Sequence, residues 1–89
     1  MRVRYSPRSI EDLETIRLYI GKDNPNAAWV VASFIRRSIA GLQEWPYHGR
    51  ATDKENVGRL VVTNYPYVVY YRVTDTVLIL TVMHTAQNR

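Results

Sequence analysis

The sequence contains no cysteine, and this absence excludes several kinds of chemistry at once. A chain without cysteine has no disulfide framework, no thiol nucleophile and no cysteine-based zinc site. Glycine is also scarce, with four residues, and none of them belongs to a glycine-rich phosphate-binding loop. We therefore expect a fold that rests on side-chain packing alone.

Long hydrophobic runs are missing as well. No apolar stretch approaches the roughly 18 residues of a membrane-spanning helix. The first residues, Met1 to Tyr5, lack the apolar segment of a signal peptide. A hydrophobic fraction of 46% and a charged fraction of 22% are ordinary for a globular protein. We expect one domain, residues 1–89, in the cytoplasm and without membrane contact.

Lysine is rare, because ten of the twelve basic residues are arginine. The formal net charge is +4. Guanidinium groups bind carboxylates and phosphates in a bidentate manner and stack on aromatic rings, so this bias suits a polyanionic or acidic-peptide partner. The arginines are scattered along the chain, unlike those of a basic arm, and solvated surface charges are the alternative interpretation.

Two helices are predicted in the first half of the chain. One begins after Ser6, which can cap free backbone amides, with Pro7 as its first residue. The other begins after Asn24 with Pro25 and ends before Pro46. The predicted apolar stripes are Ile10, Leu13, Ile16 and Ile20 in the first helix and Val31, Phe34, Ile35, Ile39 and Leu42 in the second. The short link between the helices predicts a helical hairpin.

Strands are predicted at both ends of the sequence. A short strand covers Val3 to Tyr5, and β-branched and aromatic runs cover Arg59 to Thr63, Tyr67 to Val73 and Val77 to Met83. The last three are joined by links short enough for antiparallel neighbours, whereas residues 47–57 predict a loop. The sequence therefore predicts an α+β fold of order β-α-α-β-β-β, with the helical hairpin on one face of an antiparallel sheet.

The stretch YPYVVYY, residues 65–71, raises the question of which side chains face the helices. Period-two alternation predicts an inward set of Tyr67, Val69, Tyr71 and Val73 and an outward set of Val68, Tyr70 and Arg72. Tyr70 and Arg72 would then lie beside Arg59 of the preceding strand. One aromatic ring and two guanidiniums on an open face could hold a nucleic acid, or they could be ordinary cross-strand pairs.

Residues for catalysis or metal binding are sparse. Asp12 and Glu14 lie two positions apart on a helix, so they do not face each other as an acid/base pair. The two histidines, His48 and His84, show no metal-ligand spacing. From the residues alone we interpret His84 as a structural ring at a strand end. We predict no metal and no cofactor.

Several short motifs occur in a fixed order along the chain. They are Ser6-Pro7 with the helix that follows, Asn24 to Ala28, Leu42 with Pro46 and Gly49-Arg50, Tyr65 to Val73, and Val82 to Gln87. In this order and spacing the chain resembles the ParE branch of the RelE/ParE superfamily of type II toxins. The topology that the resemblance implies is the one predicted above from periodicity.

The resemblance implies a toxin that a cognate antitoxin wraps and neutralises, and that reaches operator DNA only through the antitoxin. ParE members are associated with poisoning of DNA gyrase, whereas RelE members cut mRNA on the ribosome. RelE-type nucleases carry arginines where this chain has Val68 and Gln87, while Arg59 matches a shared basic position. The resemblance favours a gyrase inhibitor that acts by binding. The alternatives are an mRNA endonuclease and an inactive relic that regulates as an antitoxin complex.

Two sets of site residues follow. The predicted target-binding residues are Arg59, Tyr70, Arg72, His84 and Gln87, of which the first four would be catalytic in a ribonuclease. The predicted antitoxin-binding residues are Trp29, Arg36 and Arg37. Trp29 lies off the apolar stripe of its helix, so it is either a second packing contact against the first helix or an exposed anchor.

Overall fold

The computed structural model describes residues 1–87 and combines two helices with a five-stranded sheet. The elements are β1 (Val3–Tyr5), α1 (Pro7–Gly21), α2 (Pro25–Ala40), a 3₁₀ turn (Gly41–Gln43), β2 (Arg50–Ala51), β3 (Val57–Val61), β4 (Tyr67–Val73), β5 (Val77–His84) and a second 3₁₀ turn (Thr85–Gln87). The predicted α+β fold and helical hairpin are confirmed. Neither α1 nor α2 is long and apolar enough to cross a membrane.

The sheet has the strand order β1-β5-β4-β3-β2 and differs from the prediction at its two edges. β1 runs parallel to β5, with Val3 opposite Val77, so the sheet is mixed rather than wholly antiparallel. A short link forces antiparallel pairing only on strands that are neighbours in the chain, and β1 pairs with the most distant strand. At the other edge, β2 lies within the segment predicted as a loop. The sequence did not reveal this strand because two residues are too few to show a period.

Both helices begin with the predicted caps. The Ser6 hydroxyl accepts a hydrogen bond from the Ser9 amide at 3.1 Å, and Asn24 Oδ1 accepts one from the Ala27 amide at 3.1 Å. A proline follows each cap, where a missing N–H costs nothing. Ser6 also fixes α1 to the sheet, because its hydroxyl donates to the Leu80 carbonyl at 3.0 Å.

The apolar stripe of α1 differs from the prediction at one residue. Ile10 is 52% exposed, whereas Ser9 is fully buried. At about 100° per residue, Ser9 is aligned with Leu13 and Ile16, and Ile10 lies on the flank of the stripe. The Ser9 hydroxyl is satisfied because it donates to the carbonyl of Ser6 at 2.8 Å.

One apolar core lies between the two helices and a single face of the sheet. The helix side contributes Ile35 and Ile39, which are fully buried. The sheet contributes the predicted inward set of β4, namely Tyr67, Val69, Tyr71 and Val73. Val68 is also fully buried, although alternation places it on the outer face, because Val61 and Met83 flank it on the adjacent strands.

Tyr71 fills space that two glycines leave free. Its side chain is 1% exposed, and its hydroxyl accepts a hydrogen bond from the Gly49 amide at 3.0 Å. A Cβ atom on Gly58 would lie 2.5 Å from Cζ of the ring, and one on Gly49 would lie 2.6 Å from the hydroxyl oxygen. Burial raises the pKa of the Tyr71 phenol. The ring therefore joins the segment before β2 to the centre of the sheet.

Candidate functional site

Three of the predicted target-binding residues lie side by side on the face of the sheet that points away from the helices. Arg59 is directly opposite Tyr70 in the β3–β4 pair. Arg72 follows two residues later on β4 and therefore points to the same side. Arg72 is exposed, and Arg59 and Tyr70 are half-buried. The sequence predicted Tyr70 and Arg72 beside Arg59, and the strand register makes Tyr70 the direct cross-strand partner.

Two further arginines, which sequence reasoning did not single out, lie on the same face. Arg50 is directly opposite Arg59 in the β2–β3 pair. Arg4 is opposite Leu78, which is in turn opposite Arg72. Both Arg4 and Arg50 are exposed. We call Arg4, Arg50, Arg59, Tyr70 and Arg72 the basic face. Its full extent depends on the pairing of the two edge strands, so no local sequence signal could have revealed it.

The other two predicted target-binding residues do not join the basic face. His84 is opposite Tyr67, and the two rings meet edge to face with centroids 5.4 Å apart. Since Tyr67 belongs to the core, His84 points to the helix side, where it lines a groove of about 610 Å³ with Tyr19 of α1. Gln87 ends the second 3₁₀ turn, and its side chain lies outside the described part of the chain. Its role stays a prediction.

A helix carboxylate completes the wall of this groove at the edge of β5. Asp12 Oδ2 accepts hydrogen bonds from the Val82 amide at 3.0 Å and the Thr81 hydroxyl at 2.6 Å. β1 pairs with β5 only as far as Ile79, and beyond that point Asp12 accepts the hydrogen bond of the Val82 edge amide. Sequence reasoning considered Asp12 as an acid/base candidate and missed its hydrogen bonds to β5. Within residues 1–87, no three His, Asp or Glu side chains are grouped to hold a metal ion.

The outer surface of α2 presents an exposed aromatic side chain. Trp29 is 60% exposed, and the neighbouring Val30 is exposed as well. The Arg17 guanidinium of α1 lies 5.0 Å from the centroid of the Trp29 ring and also pairs with Glu14. Trp29 thus contacts α1 through a surface cation–π interaction rather than through the core.

The two arginines predicted beside Trp29 lie in different surroundings. Arg37 shares a shallow depression of about 280 Å³ with Trp29 and Phe34. Arg36 lies on the flank towards β1, with its guanidinium 5.4 Å from the centroid of the Tyr5 ring. Burial raises the pKa of the Tyr5 phenol, and the positive charge of Arg36 opposes that rise. Trp29 and Arg37 therefore share one surface, and Arg36 borders it.

Comparison with known proteins identifies the family. The family model for the ParE toxin of the type II toxin-antitoxin system, parDE, matches residues 3–89. The chain belongs to the ParE toxin family. It is 38% identical over 87 residues to a candidate toxin, Y4kP of Sinorhizobium fredii, covering 98% of this chain and 91% of that protein. It is 34% identical over 87 residues to Toxin RelE2 of Caulobacter vibrioides, covering 97% of both chains.

A solved structure shares the architecture of this ParE-family chain. The similar chain comes from the chromosomal ParDE TA system of P. aeruginosa, with a TM-score of 0.85 and 20% sequence identity. The match covers 94% of this chain and 95% of that one, and at this identity it establishes the fold. The resemblance read from the sequence is confirmed. The protein is a toxin of a type II toxin-antitoxin system.

Proposed function

We propose that this ParE-family toxin inhibits DNA gyrase by binding, in the cytoplasm, and that a cognate antitoxin neutralises it. The observation that carries the binding mechanism is the position of His84, which lies on the helix side of the sheet, whereas Arg59 and Tyr70 lie on the other. Metal-free RNA cleavage needs a base and preorganised cations around one phosphate. An imidazole and a guanidinium on opposite faces do not meet this requirement.

The target surface in this proposal is the basic face. Exposed guanidiniums such as Arg72 can donate paired hydrogen bonds to carboxylates or phosphates of a partner. Tyr70 adds an aromatic ring in the same cross-strand row as Arg59. A surface that inhibits by occupying its target needs complementary charge and shape but no titrating group, and these residues supply the charge.

The antitoxin surface in this proposal is the outer side of α2 around Trp29 and Arg37, with Arg36 at its border. Exposed tryptophan and arginine are enriched among the residues that dominate protein interfaces. An amphipathic segment with apolar and acidic side chains fits such a surface. The α2 surface and the basic face lie on opposite layers of the molecule. An antitoxin held at α2 must therefore extend around the edge of the sheet to reach the basic face.

The decisive experiment combines growth and gyrase assays. We expect expression of the toxin alone to arrest growth and co-expression of the antitoxin to restore it. Purified toxin should reduce gyrase supercoiling or trap cleaved DNA. Normal growth with soluble, folded toxin in a host with susceptible gyrase and ribosomes would contradict a toxic activity and favour the antitoxin-bound relic.

A ribosome-dependent mRNA endonuclease is the second candidate. It is favoured by one observation, the grouping of Arg59, Tyr70 and Arg72 on a single face. A nuclease that used these residues would have to obtain its base from the ribosome or the substrate, since His84 lies on the other side of the sheet. Cleavage of mRNA in a translating extract would select this candidate.

A further inference from the structure

The net charge of the molecule is distributed unevenly between its two layers. Residues 7–44, which span α1, the link between the helices, α2, the 3₁₀ turn and Glu44 after it, contain five basic and five acidic side chains and are neutral in sum. In the described chain, the five strands contain four arginines and neither aspartate nor glutamate. The formal net charge of +4 therefore belongs to the sheet, its loops and the termini.

The pairing register gathers this charge on one surface. Arg4 and Arg72 lie on either side of Leu78 in one cross-strand row, and Arg59 and Arg50 lie in the next. Strands in a sheet are about 4.8 Å apart, so the four guanidinium-bearing positions extend over about 20 Å from β1 to β2. Duplex DNA of that length carries about twelve phosphates.

The pairing of Arg50 with Arg59 is unfavourable for the sheet itself. Like charges directly opposite each other destabilise an antiparallel pair. In the helical layer, Arg8 and Arg17 each form an ion pair with an acidic residue on the same helix. A polyanion bound to this face would offset the repulsion between the two guanidiniums.

The chemistry of the basic face fits a nucleic acid better than a protein. Arginine also occurs at protein–protein interfaces, but four arginines with no acidic residue on the five strands match the strongly positive character of protein–DNA interfaces. The exposed apolar side chains of Trp29 and Val30, which suit a protein partner, lie on the opposite layer. Tyr70 provides a ring that can contact a sugar of the backbone beside Arg59.

We propose that the basic face binds the phosphodiester backbone of duplex DNA directly. Arg4, Arg50, Arg59 and Arg72 each donate to phosphate oxygens, so binding depends on charge and not on base sequence. That the bound duplex is the DNA held by gyrase rests on the proposed function. The phosphate-binding chemistry stands independently of gyrase.

Binding of purified toxin to a short duplex, followed by fluorescence anisotropy across a salt series, tests this proposal. For three or four phosphate contacts, affinity should fall about 40- to 150-fold between 50 and 200 mM salt. Arg4→Gln and Arg72→Gln should each weaken binding to all duplex sequences equally and reduce the slope of log affinity against log salt by about 1. Lys22→Gln, which removes one exposed charge directly after α1, is the matched control and should leave that slope unchanged.

The same assay distinguishes duplex DNA from an acidic peptide or a single-stranded RNA as the ligand of the basic face. Circular dichroism of each variant must match the original protein, which we expect because these side chains are exposed. A salt-independent affinity, or Arg4→Gln and Arg72→Gln proteins that bind DNA normally, would overturn the proposal. Tighter binding of polyglutamate or of single-stranded RNA than of the duplex, through the same arginines, would also overturn the proposal.

The proposal and the gyrase assignment fail in different ways. Full inhibition of supercoiling by an original protein that shows no salt-dependent affinity for the duplex would overturn the DNA contact and leave gyrase inhibition standing. Normal DNA binding with no effect on supercoiling would remove gyrase as the target and support the phosphate-binding face.

Discussion

Asp12 of α1 and Val82 of β5 are joined by a hydrogen bond of 3.0 Å from the backbone amide to the carboxylate. The same oxygen also accepts from the Thr81 hydroxyl. The carboxylate thus occupies the place that a further residue of β1 would take. It connects the helical layer to the sheet at the point where the parallel strand ends.

Replacement of Asp12 should therefore destabilise the fold. Asp12→Ala leaves two half-buried donors without their acceptor, which should lower the free energy of unfolding by about 1–3 kcal/mol. Asp12→Asn keeps one acceptor oxygen and should lower it less. Glu11→Ala, at an exposed position on the same helix, should change it by less than about 0.5 kcal/mol. Urea unfolding measures all three, and equal effects of Asp12→Ala and Glu11→Ala would contradict the role of Asp12.

The packing of Tyr71 against Gly58 gives a second prediction. A methyl group at Gly58 would overlap the ring, so Gly58→Ala should lower the free energy of unfolding by about 1–3 kcal/mol. Gly41→Ala is the control, because no atom lies within 4 Å of its added Cβ and its backbone is already right-handed helical. That variant should be neutral or slightly more stable. A Gly58→Ala protein as stable as Gly41→Ala would show that the ring moves freely.

Buried tyrosines make stability sensitive to alkaline pH. Burial raises the pKa of the phenols of Tyr5, Tyr67 and Tyr71 in the folded protein. The unfolded chain then loses these protons first, so stability is full below the ordinary tyrosine value of about 10 and falls as pH rises above it. Urea midpoints measured from pH 8 to about 11 should show this fall, and Tyr71→Phe should reduce its slope. Constant midpoints across this range would contradict the prediction.

Features that depend on nearby residues could be predicted from the sequence, and features that depend on distant pairing could not. The caps of Ser6 and Asn24 use amides three residues away, so the spacing alone reveals them. The parallel pairing of β1 with β5 joins the two ends of the chain, and no local pattern encodes it. The same holds for the site, because Arg50 reaches Arg59 only through a two-residue strand.

The side chains of β4 show what period-two alternation can predict and what it cannot. Period two correctly assigned Tyr67 and Tyr71 to the core and Tyr70 and Arg72 to the outer face. It did not predict that Val68 is buried on the outer face, since that depends on which side chains flank it across the sheet. Alternation assigns the side of the sheet, and the neighbours across the strands determine burial.

The exposed ring of Trp29 predicts an interface role that is separable from folding. Trp29→Ala removes a surface cation–π contact with Arg17, so the free energy of unfolding should change by less than about 1 kcal/mol. Antitoxin affinity should fall at least about tenfold, as for a central interface residue. Trp45→Ala, at an exposed position outside α2, is the control and should bind antitoxin normally. Unfolding of the Trp29→Ala protein would instead assign the ring to packing.

His84 and the basic face lie on opposite sides of the sheet, so substitutions at the two places should affect gyrase inhibition differently. If inhibition depends on binding through the basic face, Arg59→Ala should weaken inhibition of gyrase supercoiling, and His84→Ala should leave it nearly unchanged. A ribonuclease that used both groups would respond differently. Loss of a single charge-stabilising group typically lowers a catalytic rate by about 10²–10³-fold, so both variants would then abolish cleavage of mRNA.

The two activities must be measured on the same preparations, in a supercoiling assay and in a translating extract. We expect no codon-dependent mRNA cleavage with the original protein and a reduced gyrase effect with Arg59→Ala. Codon-dependent cleavage that disappears in both Arg59→Ala and His84→Ala, with supercoiling untouched, would reverse the assignment. It would also require the His84 ring to reach the opposite face of the sheet on the ribosome, because in this structure Tyr67 holds the ring on the helix side.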